Sequence, residues 1–293
     1  MPVVDQYIDP SQKGFLAGKN SGDHIVEING LFYEAVVQKL SRLLFLLDTA
    51  KAFDSVDHDW VHLVLERVKF PPWVRHFVKG SLHAVKVAPF FGADLSDWIG
   101  ILRGVKQGCP LSPLLFIIAY DPLLHRLSKM DGIRPFAYAD DLALFSSSVC
   151  AISPALLLIS RFSVVSGLGI NKVKSVAIPT AGPSEWPAIE AELASCPWED
   201  LPLKETGTHL GILIGREVTL EMLWSGPLKK ALSKIATCKS LVRSLSLPMR
   251  ILFVNVFIVS LFSYIALFFV LPTAIWTRIR GAILTLFPFN GTA

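Results

Sequence analysis

The apolar positions of this chain fall into short dense runs separated by acids, glycines and prolines. The period within each run separates strands from helices. RLLFLLD, residues 42–48, is an apolar run of strand length that ends on an acid, which predicts a buried strand. FAYADDLALF, residues 136–145, holds Asp140 and Asp141 between two apolar arms and predicts a hairpin with the acids at its tip. Asp57 stands where it can cap a helix through HDWVHLVLERV, closed by Pro71 and Pro72. HAVKVAPFFGADLSDWIGI predicts a hairpin around Gly92, and PLLFIIAYDPLLHRL a helix divided in two near Pro122. SPALLLISRFSVVSGLGI predicts a helix ended by Gly167 and Gly169, and VKSVAIP and THLGILIG predict strands. From about residue 219 onward the pattern is helical throughout. TAGPSEWPAIEAELASCPWEDLP carries the weakest pattern and is expected to be a surface excursion.

Composition changes this picture in two places. At 293 residues the chain can bury a full core as one large domain or two modest ones. Its hydrophobic content of 52% raises the question of a membrane span. ILFVNVFIVSLFSYIALFFVL, residues 251–271, is long enough, since about 20 apolar residues suffice. Asn255, Ser260, Ser263 and Tyr264 interrupt it, and Arg250 and Arg278 flank it on both sides, so no positive-inside bias appears. A packed helix is expected there in preference to a span. The opening MPVVDQYIDP has neither a basic nor an apolar leader region, so an intracellular location, nuclear or cytoplasmic, is expected. Cys109, Cys150, Cys196 and Cys238 are scattered without a CxxC pair, which argues against a zinc site and against a disulfide framework.

Charge matters through its distribution. The net charge is only +4, but the last acid is Glu221, and Lys229, Lys230, Lys234, Lys239, Arg243, Arg250, Arg278 and Arg280 follow it unopposed. The first 221 residues carry 20 basic and 24 acidic groups. An acid-leaning body joined to a basic helical end suits a polyanionic partner; the alternative is a solvated helix face. Lys229, Lys230 and Lys234, then Lys239 and Arg243, recur at about helical-turn spacing and can follow a phosphate backbone.

The candidate chemistry lies in the acids that end apolar runs. If the strand ending at Asp48 lies beside the hairpin tipped by Asp140 and Asp141, three carboxylates converge at one sheet edge. Like charges so close raise one another's pKa unless cations neutralise them. Two divalent ions about 3.5–4 Å apart are the arrangement that catalyses in-line nucleotidyl transfer. Oxygen-only ligands favour Mg²⁺ or Mn²⁺ over zinc. His58 and His62 stand four apart on a helix, but without the HExxH glutamate they are expected to be structural. Asp54 and Asp57 are expected to cap or turn the chain, and Cys109 to be a small packed residue.

Six blocks stand in a telling order: SQKGFLAGKNSGDHI (11–25), LLDTAKAFDSVDH (46–58), GVKQGCPLSPLLF (104–116), AYADD (137–141), SGLGINKVKS (166–175) and HLGILIG (209–215). In this order they resemble the finger–palm block and motifs A to E of the reverse transcriptase domain of non-LTR (LINE-like) retrotransposons. SLPMRILFVNVFIVSLFSYIALFFVLP is similar to the start of the family's helical thumb. The resemblance implies an α+β right-hand polymerase core, an antiparallel palm sheet backed by helices. It implies partial fingers over 1–40, a palm over 41–216 and a helical, basic, thumb-like region over 217–293. It implies Asp48, Asp140 and Asp141 as catalytic metal ligands for Mg²⁺ or Mn²⁺, with the Thr49 carbonyl a further ligand. Phe53 matches the aromatic gate that excludes a ribose 2′-OH, against the plainer reading of a core aromatic. Gln107 and Gly108 match the motif that lies against the nascent base pair. Lys174 matches a lysine that protonates the departing pyrophosphate, against the plainer reading of a solvated side chain. The implied partners are an RNA template, a DNA primer and deoxynucleoside triphosphates, with Lys229, Lys230, Lys234, Lys239 and Arg243 on the nucleic acid.

One departure stands out. The family carries further finger strands before the first block, whereas here only about ten residues precede it, so an N-terminally truncated core is expected. The implied activity is RNA-directed DNA polymerisation. A catalytically silent nucleic-acid-binding remnant and an intron-maturase-like reverse transcriptase are the alternatives.

Overall fold

The computed structural model describes residues 7–287 apart from 84, 93, 195, 197, 199 and 200. Residues 1–6 of the expected finger region and 288–293 of the thumb-like region lie outside the described residues. Asn20 opens α1 (Ser21–Val37), its side chain accepting from the Asp23 N–H, and Ile25, Ile28, Phe32 and Ala35 form the buried stripe. β1 (Leu43–Asp48) follows, with every leucine and its phenylalanine buried on both faces of the strand. A run of this kind reads as continuously apolar because neither face meets water. After the single turn α2 (Ala52–Ser55), the Asp57 carboxylate accepts from the Asp59 and Trp60 N–H groups and starts α3 (His58–Arg67), as its sequence position predicts.

Pro71 and Pro72 were expected only to close that helix. The chain instead leaves it through Lys69, in the left-handed region at φ 59°, and Pro72 begins a further helix, α4 (Pro72–His83). Proline's fixed φ and missing N–H suit a first helical turn as well as they suit a stop. The expected hairpin around Gly92 is present as two short ladders, β2 (Lys86–Val87) with β5 (Ile99–Gly100) and β3 (Phe90–Phe91) with β4 (Asp94–Leu95). α5 (Ser112–Leu127) runs unbroken through Pro122 and corrects the expectation of a divided helix. Leu115 to Tyr120 on one side of the proline and Leu123, Leu124 and Leu127 on the other are all buried. Each large apolar side chain buried contributes about 1.5–3 kcal/mol, enough together to outweigh the roughly 3 kcal/mol that an interior proline costs.

β6 (Ile133–Tyr138) and β7 (Asp141–Ser146) form the expected hairpin. α6 (Val149–Ser166) ends at Gly167, as read from the sequence, but starts earlier than the expected SPALLLIS segment, at the Ser148 cap. β8 (Val176–Pro179) completes a four-stranded sheet of order β6-β7-β1-β8, antiparallel throughout. Leu43, Phe45, Leu47, Leu142 and Leu144 join the main core with α3, α5 and α6. On the other face, His24 of α1 meets Phe136 edge-on at 5.4 Å.

The segment 180–202 is not a surface excursion. α7 (Trp186–Leu193) buries Ile189 and Leu193 in the core, where Cys196, Trp198 and Leu201 join them, and the Trp198 Nε1–H donates to Ser160 Oγ at 2.8 Å. Aromatic and aliphatic side chains spaced irregularly by prolines give no clear period, yet tertiary packing buries them. THLGILIG is two strands rather than one, β9 (Thr206–His209) and β10 (Ile212–Gly215), with Leu210 and Gly211 between them at positive φ.

The chain divides into two compact units at this turn, Met1–Leu210 and Gly211–Ala293. In the second, α8 (Leu220–Ser244) packs against α9 (Leu247–Phe253), a π-helical stretch (Val254–Val259), α10 (Ser260–Ala266) and α11 (Thr273–Leu284). Trp224 of α8 is fully buried, stacks on Phe262 and donates its Nε1–H to the Val270 carbonyl at 3.1 Å. Residues 247–266 are long and apolar enough to cross a membrane by length and composition. Val254, Ile258, Phe262 and Ile265 form their buried stripe. Arg250 donates to the Arg243, Leu245 and Leu286 carbonyls and so ties the helix ends together.

Candidate active site

The two acid-tipped elements are neighbours. Asp48, the last residue of β1, stands directly opposite Asp141, the first residue of β7. Opposed residues in an antiparallel pair lie about 4.5–5.5 Å apart at Cα, with their side chains on one face. Asp140 precedes Asp141 in the two-residue turn, after Ala139, whose φ is 56°. The Thr49 hydroxyl donates to the Asp140 carbonyl at 2.9 Å and fastens the end of β1 to that turn.

The loop after α6 holds the other side of Asp48. The Asn171 N–H donates to the Asp48 carbonyl at 2.8 Å, the Asp48 N–H donates to Ser175 Oγ at 3.1 Å, and the Ala50 N–H donates to the Gly169 carbonyl at 2.8 Å. This loop also brings Lys174 Nζ to 3.9 Å from Asp48 Oδ2, with both side chains open to water. An exposed pair of this kind adds about 0–1 kcal/mol, so the pairing leaves Lys174 free to serve another anion.

Electrostatics follow from the convergence. The Asp141 carboxyl is held above the usual carboxylate range, first by lost hydration and then by the facing Asp140 and Asp48 carboxylates. Below them Tyr120 is fully buried, and burial pushes its phenol up, so it stays neutral beside Thr49. Among the described residues no three His, Cys, Asp or Glu side chains are gathered so as to hold a metal ion by themselves. Mg²⁺ does not need such a set. It is usually held by one or two carboxylates and completed by water and substrate phosphates, and the opposed pair Asp48 and Asp141 fits that chemistry.

Phe53, five residues after Asp48, is joined by its backbone to the 104–109 loop. The ring of Phe53 stacks on Phe116 at 4.8 Å and meets Phe15 edge-on at 6.1 Å. Its carbonyl accepts the Val105 N–H, and the Val56 carbonyl accepts the Gly104 N–H, both at 2.7 Å. Gln107 Nε2 donates to Asp54 Oδ1 at 3.1 Å, and Gly108 takes φ 83° with open space where a side chain would stand. Asp54, expected to cap or turn the chain, instead lies within α2 and accepts from the 104–109 loop. His58 is buried with Nε2 2.8 Å from the Gly104 carbonyl, a structural role. His62 lies tilted against His83 at 5.2 Å, and its pKa is lowered, first by burial and then by His83 and Lys79. Cys109 is half-buried and free.

Sequence reasoning missed Gln12 as an individual residue. It is fully buried, and its side-chain amide bonds both polar groups of Ala139 in the acid-bearing turn. The only signal was its place inside a recognisable block, because the partner lies 127 positions away.

In the second unit, Lys229, Lys230 and Lys234 are exposed on α8 and Lys239 is half-buried. Lys234 Nζ lies 5.3 Å from the Phe257 ring, and the Arg243 Nε–H donates to the Thr285 carbonyl at 2.9 Å. At about 100° per residue, Lys230 and Lys234 lie on one edge of the helix and Lys239 and Arg243 on the opposite edge. Lys229 falls nearer the second edge, so the five cations form two rows rather than one track.

An antiparallel four-stranded sheet backed by helices, with three carboxylates at the meeting ends of its central strands, defines the palm of a right-hand polymerase. The family described as reverse transcriptase (RNA-dependent DNA polymerase) matches residues 2–205, most of the chain, and the chain belongs to that family. It is 29% identical over 187 residues to the "Retrovirus-related Pol polyprotein from type-1 retrotransposable element R2" of Popillia japonica, covering 59% of this chain and 26% of that protein. It is 26% identical over 268 residues to the "Transposon TX1 uncharacterized 149 kDa protein" of Xenopus laevis, covering 88% of this chain and 20% of that protein. The chain thus spans about a quarter or less of these relatives, as a partial reverse transcriptase domain akin to those of non-LTR retrotransposons. Among solved structures, apo telomerase from Candida tropicalis shares the fold at a TM-score of 0.53 and 12% identity, covering 97% of this chain and 52% of that one. Telomerase from Candida albicans, solved with a fragment of telomeric RNA, has a TM-score of 0.52 at 11% identity, covering 94% and 48%.

Proposed function

We propose that this chain is the catalytic core of an RNA-directed DNA polymerase of a non-LTR retroelement, adding deoxynucleotides to a DNA primer on an RNA template. The observation that carries the reading is the strand register that sets Asp48 against Asp141 with Asp140 in the adjoining turn. These carboxylates, with the Thr49 carbonyl, would hold Mg²⁺ or Mn²⁺, which when bound acidifies the primer hydroxyl and screens phosphate charge. Lys174, tethered beside Asp48 and open to water, protonates the departing pyrophosphate. Phe53 forms the wall against the sugar, Gln107 and Gly108 face the nascent base pair, and the exposed lysines of α8 hold the nucleic-acid backbone as the thumb.

The test is primer extension on poly(rA)/oligo(dT) with Mg²⁺. The wild-type chain is expected to extend the primer. Asp48→Asn is expected to lose about 10²–10³ of the rate, the usual cost of removing one preorganised charge partner, with hybrid binding retained. A wild-type chain that binds the hybrid without extending it would replace this reading with that of a silent nucleic-acid-binding remnant.

A further inference from the structure

We infer that Gln12 is a positioning residue that sets the turn carrying Asp140, and with it the affinity of the carboxylate site for its divalent cation. The inference rests on the polymerase reading and adds to it a residue outside the acid set. β6 is an edge strand of the sheet, and residues 11–13 run beside it in parallel. The Ala137 N–H donates to the Ser11 carbonyl at 2.8 Å, and the Lys13 N–H donates to the Ala137 carbonyl at 2.9 Å. From that backbone seam the Gln12 side chain reaches two residues further, into the turn. The Ala139 N–H donates to Gln12 Oε1 at 2.9 Å, and Gln12 Nε2 donates back to the Ala139 carbonyl at 3.2 Å. The Gly14 N–H donates to the same Oε1 at 2.8 Å.

Ala139 needs this support. It is a buried non-glycine residue in the left-handed region at φ 56°, a conformation that persists only where its surroundings enforce it. Its two backbone polar groups are shielded from water, and the Gln12 amide answers both. Gly14 gives a second, independent sign of the same clamp. A Cβ built there would lie 2.2 Å from the Ala139 nitrogen, so the close approach admits no side chain. Asp140 follows immediately, and the Thr49 hydroxyl ties down its carbonyl from the other side. Remove the amide and the turn can relax, moving the Asp140 carboxylate relative to Asp48 and Asp141.

The chemistry at position 12 is specific. Asn is one methylene too short, and Met fills the space without a polar group. Glu retains both accepted bonds but, when ionised, sets a second oxygen against the Ala139 carbonyl. Only its protonated form regains the donor, and burial raises its pKa towards the neutral range.

The experiment compares wild type, Gln12→Met, Gln12→Glu and Asp140→Asn in two assays. One is Mn²⁺ titration followed by electron paramagnetic resonance; the other is single-nucleotide primer extension. Gln12→Met is expected to keep its circular dichroism and hybrid affinity while Mn²⁺ affinity and kcat each fall about 10- to 100-fold, the usual range for outer partners of metal ligands. KM for the nucleotide should stay close to wild type. Gln12→Glu is expected to be defective at about pH 8 and to approach wild type as pH falls towards about 6. A folded Gln12→Met with wild-type Mn²⁺ affinity and kcat overturns the inference. If that variant does not fold, a Gln12→Glu profile parallel to wild type at every pH overturns it instead. Mn²⁺ binding that Asp140→Asn removes, in a wild-type chain that extends no primer, would sink the polymerase reading while the clamp stands or falls on the Mn²⁺ comparison alone.

Discussion

Phe53 is fixed by both its ring and its backbone. The ring rests on Phe116, its edge meets Phe15, and the carbonyl is locked to Val105 at 2.7 Å. A gate that rejects one hydroxyl has to be rigid, because a wall that yields by a few tenths of an ångström accommodates the extra oxygen. Phe53 is only partly buried, so packing alone does not account for it as it does for Phe116 beneath. Phe53→Val removes the ring while leaving the backbone lock in place. The variant is expected to raise ribonucleotide incorporation relative to deoxyribonucleotide by about 10- to 100-fold, the scale at which steric pockets discriminate. Competing single-nucleotide incorporations measure this directly. An unchanged ratio would return Phe53 to the role of a core aromatic.

Elements meet at the site through their ends, and Gly167 shows how tightly. It closes α6 at φ 76°, and a Cβ added there would lie 2.2 Å from the Ser55 carbonyl at the end of α2. Both the backbone conformation and the space exclude a side chain, so Gly167→Ala should cost about 2–3 kcal/mol in urea unfolding. A loss under about 0.5 kcal/mol would mean that the two helix ends shift apart freely. Such local rules were legible in the sequence: the apolar run closing on Asp48, the hairpin tip, the Asp57 cap and the glycine stop at 167 each need only a few neighbouring residues. What stayed hidden was long-range. α5 passes through Pro122 because a buried flank outweighs the proline, and α7 with Trp198 lies in the core without a readable period. Gln12 works on a turn that only the folded sheet brings within reach. At the site, the acids announced themselves by interrupting apolar strands, whereas their supports are ordinary polar residues.

At the scale of the whole molecule, the separation of charge along the chain poses the remaining question. Eight cations and no acid follow Glu221, all in the helical second unit. Two of these arginines also serve the fold, Arg243 on the Thr285 carbonyl and Arg250 on three helix-end carbonyls. Lys229 and Lys230 have no such duty, while the Lys234 ammonium also lies 5.3 Å from the Phe257 ring; all three are exposed, within little more than one turn of α8. An exposed lysine cluster of this kind meets phosphates, which all bases share, so it should bind with little sequence preference. Each phosphate held releases counterions and adds to the dependence of affinity on salt. Replacing Lys229, Lys230 and Lys234 together with Gln should therefore weaken binding to an RNA–DNA hybrid alike for every sequence tested. The slope of log affinity against log salt should flatten by about one unit for each phosphate that is no longer held. Thermal stability should fall little, by about the 0.5–1 kcal/mol of the Lys234–Phe257 contact, since exposed charges contribute little else to folding. Fluorescence anisotropy across a salt series reads the slope. A triple variant that keeps the wild-type slope would leave these lysines a solvated face and move the nucleic-acid grip elsewhere on the chain.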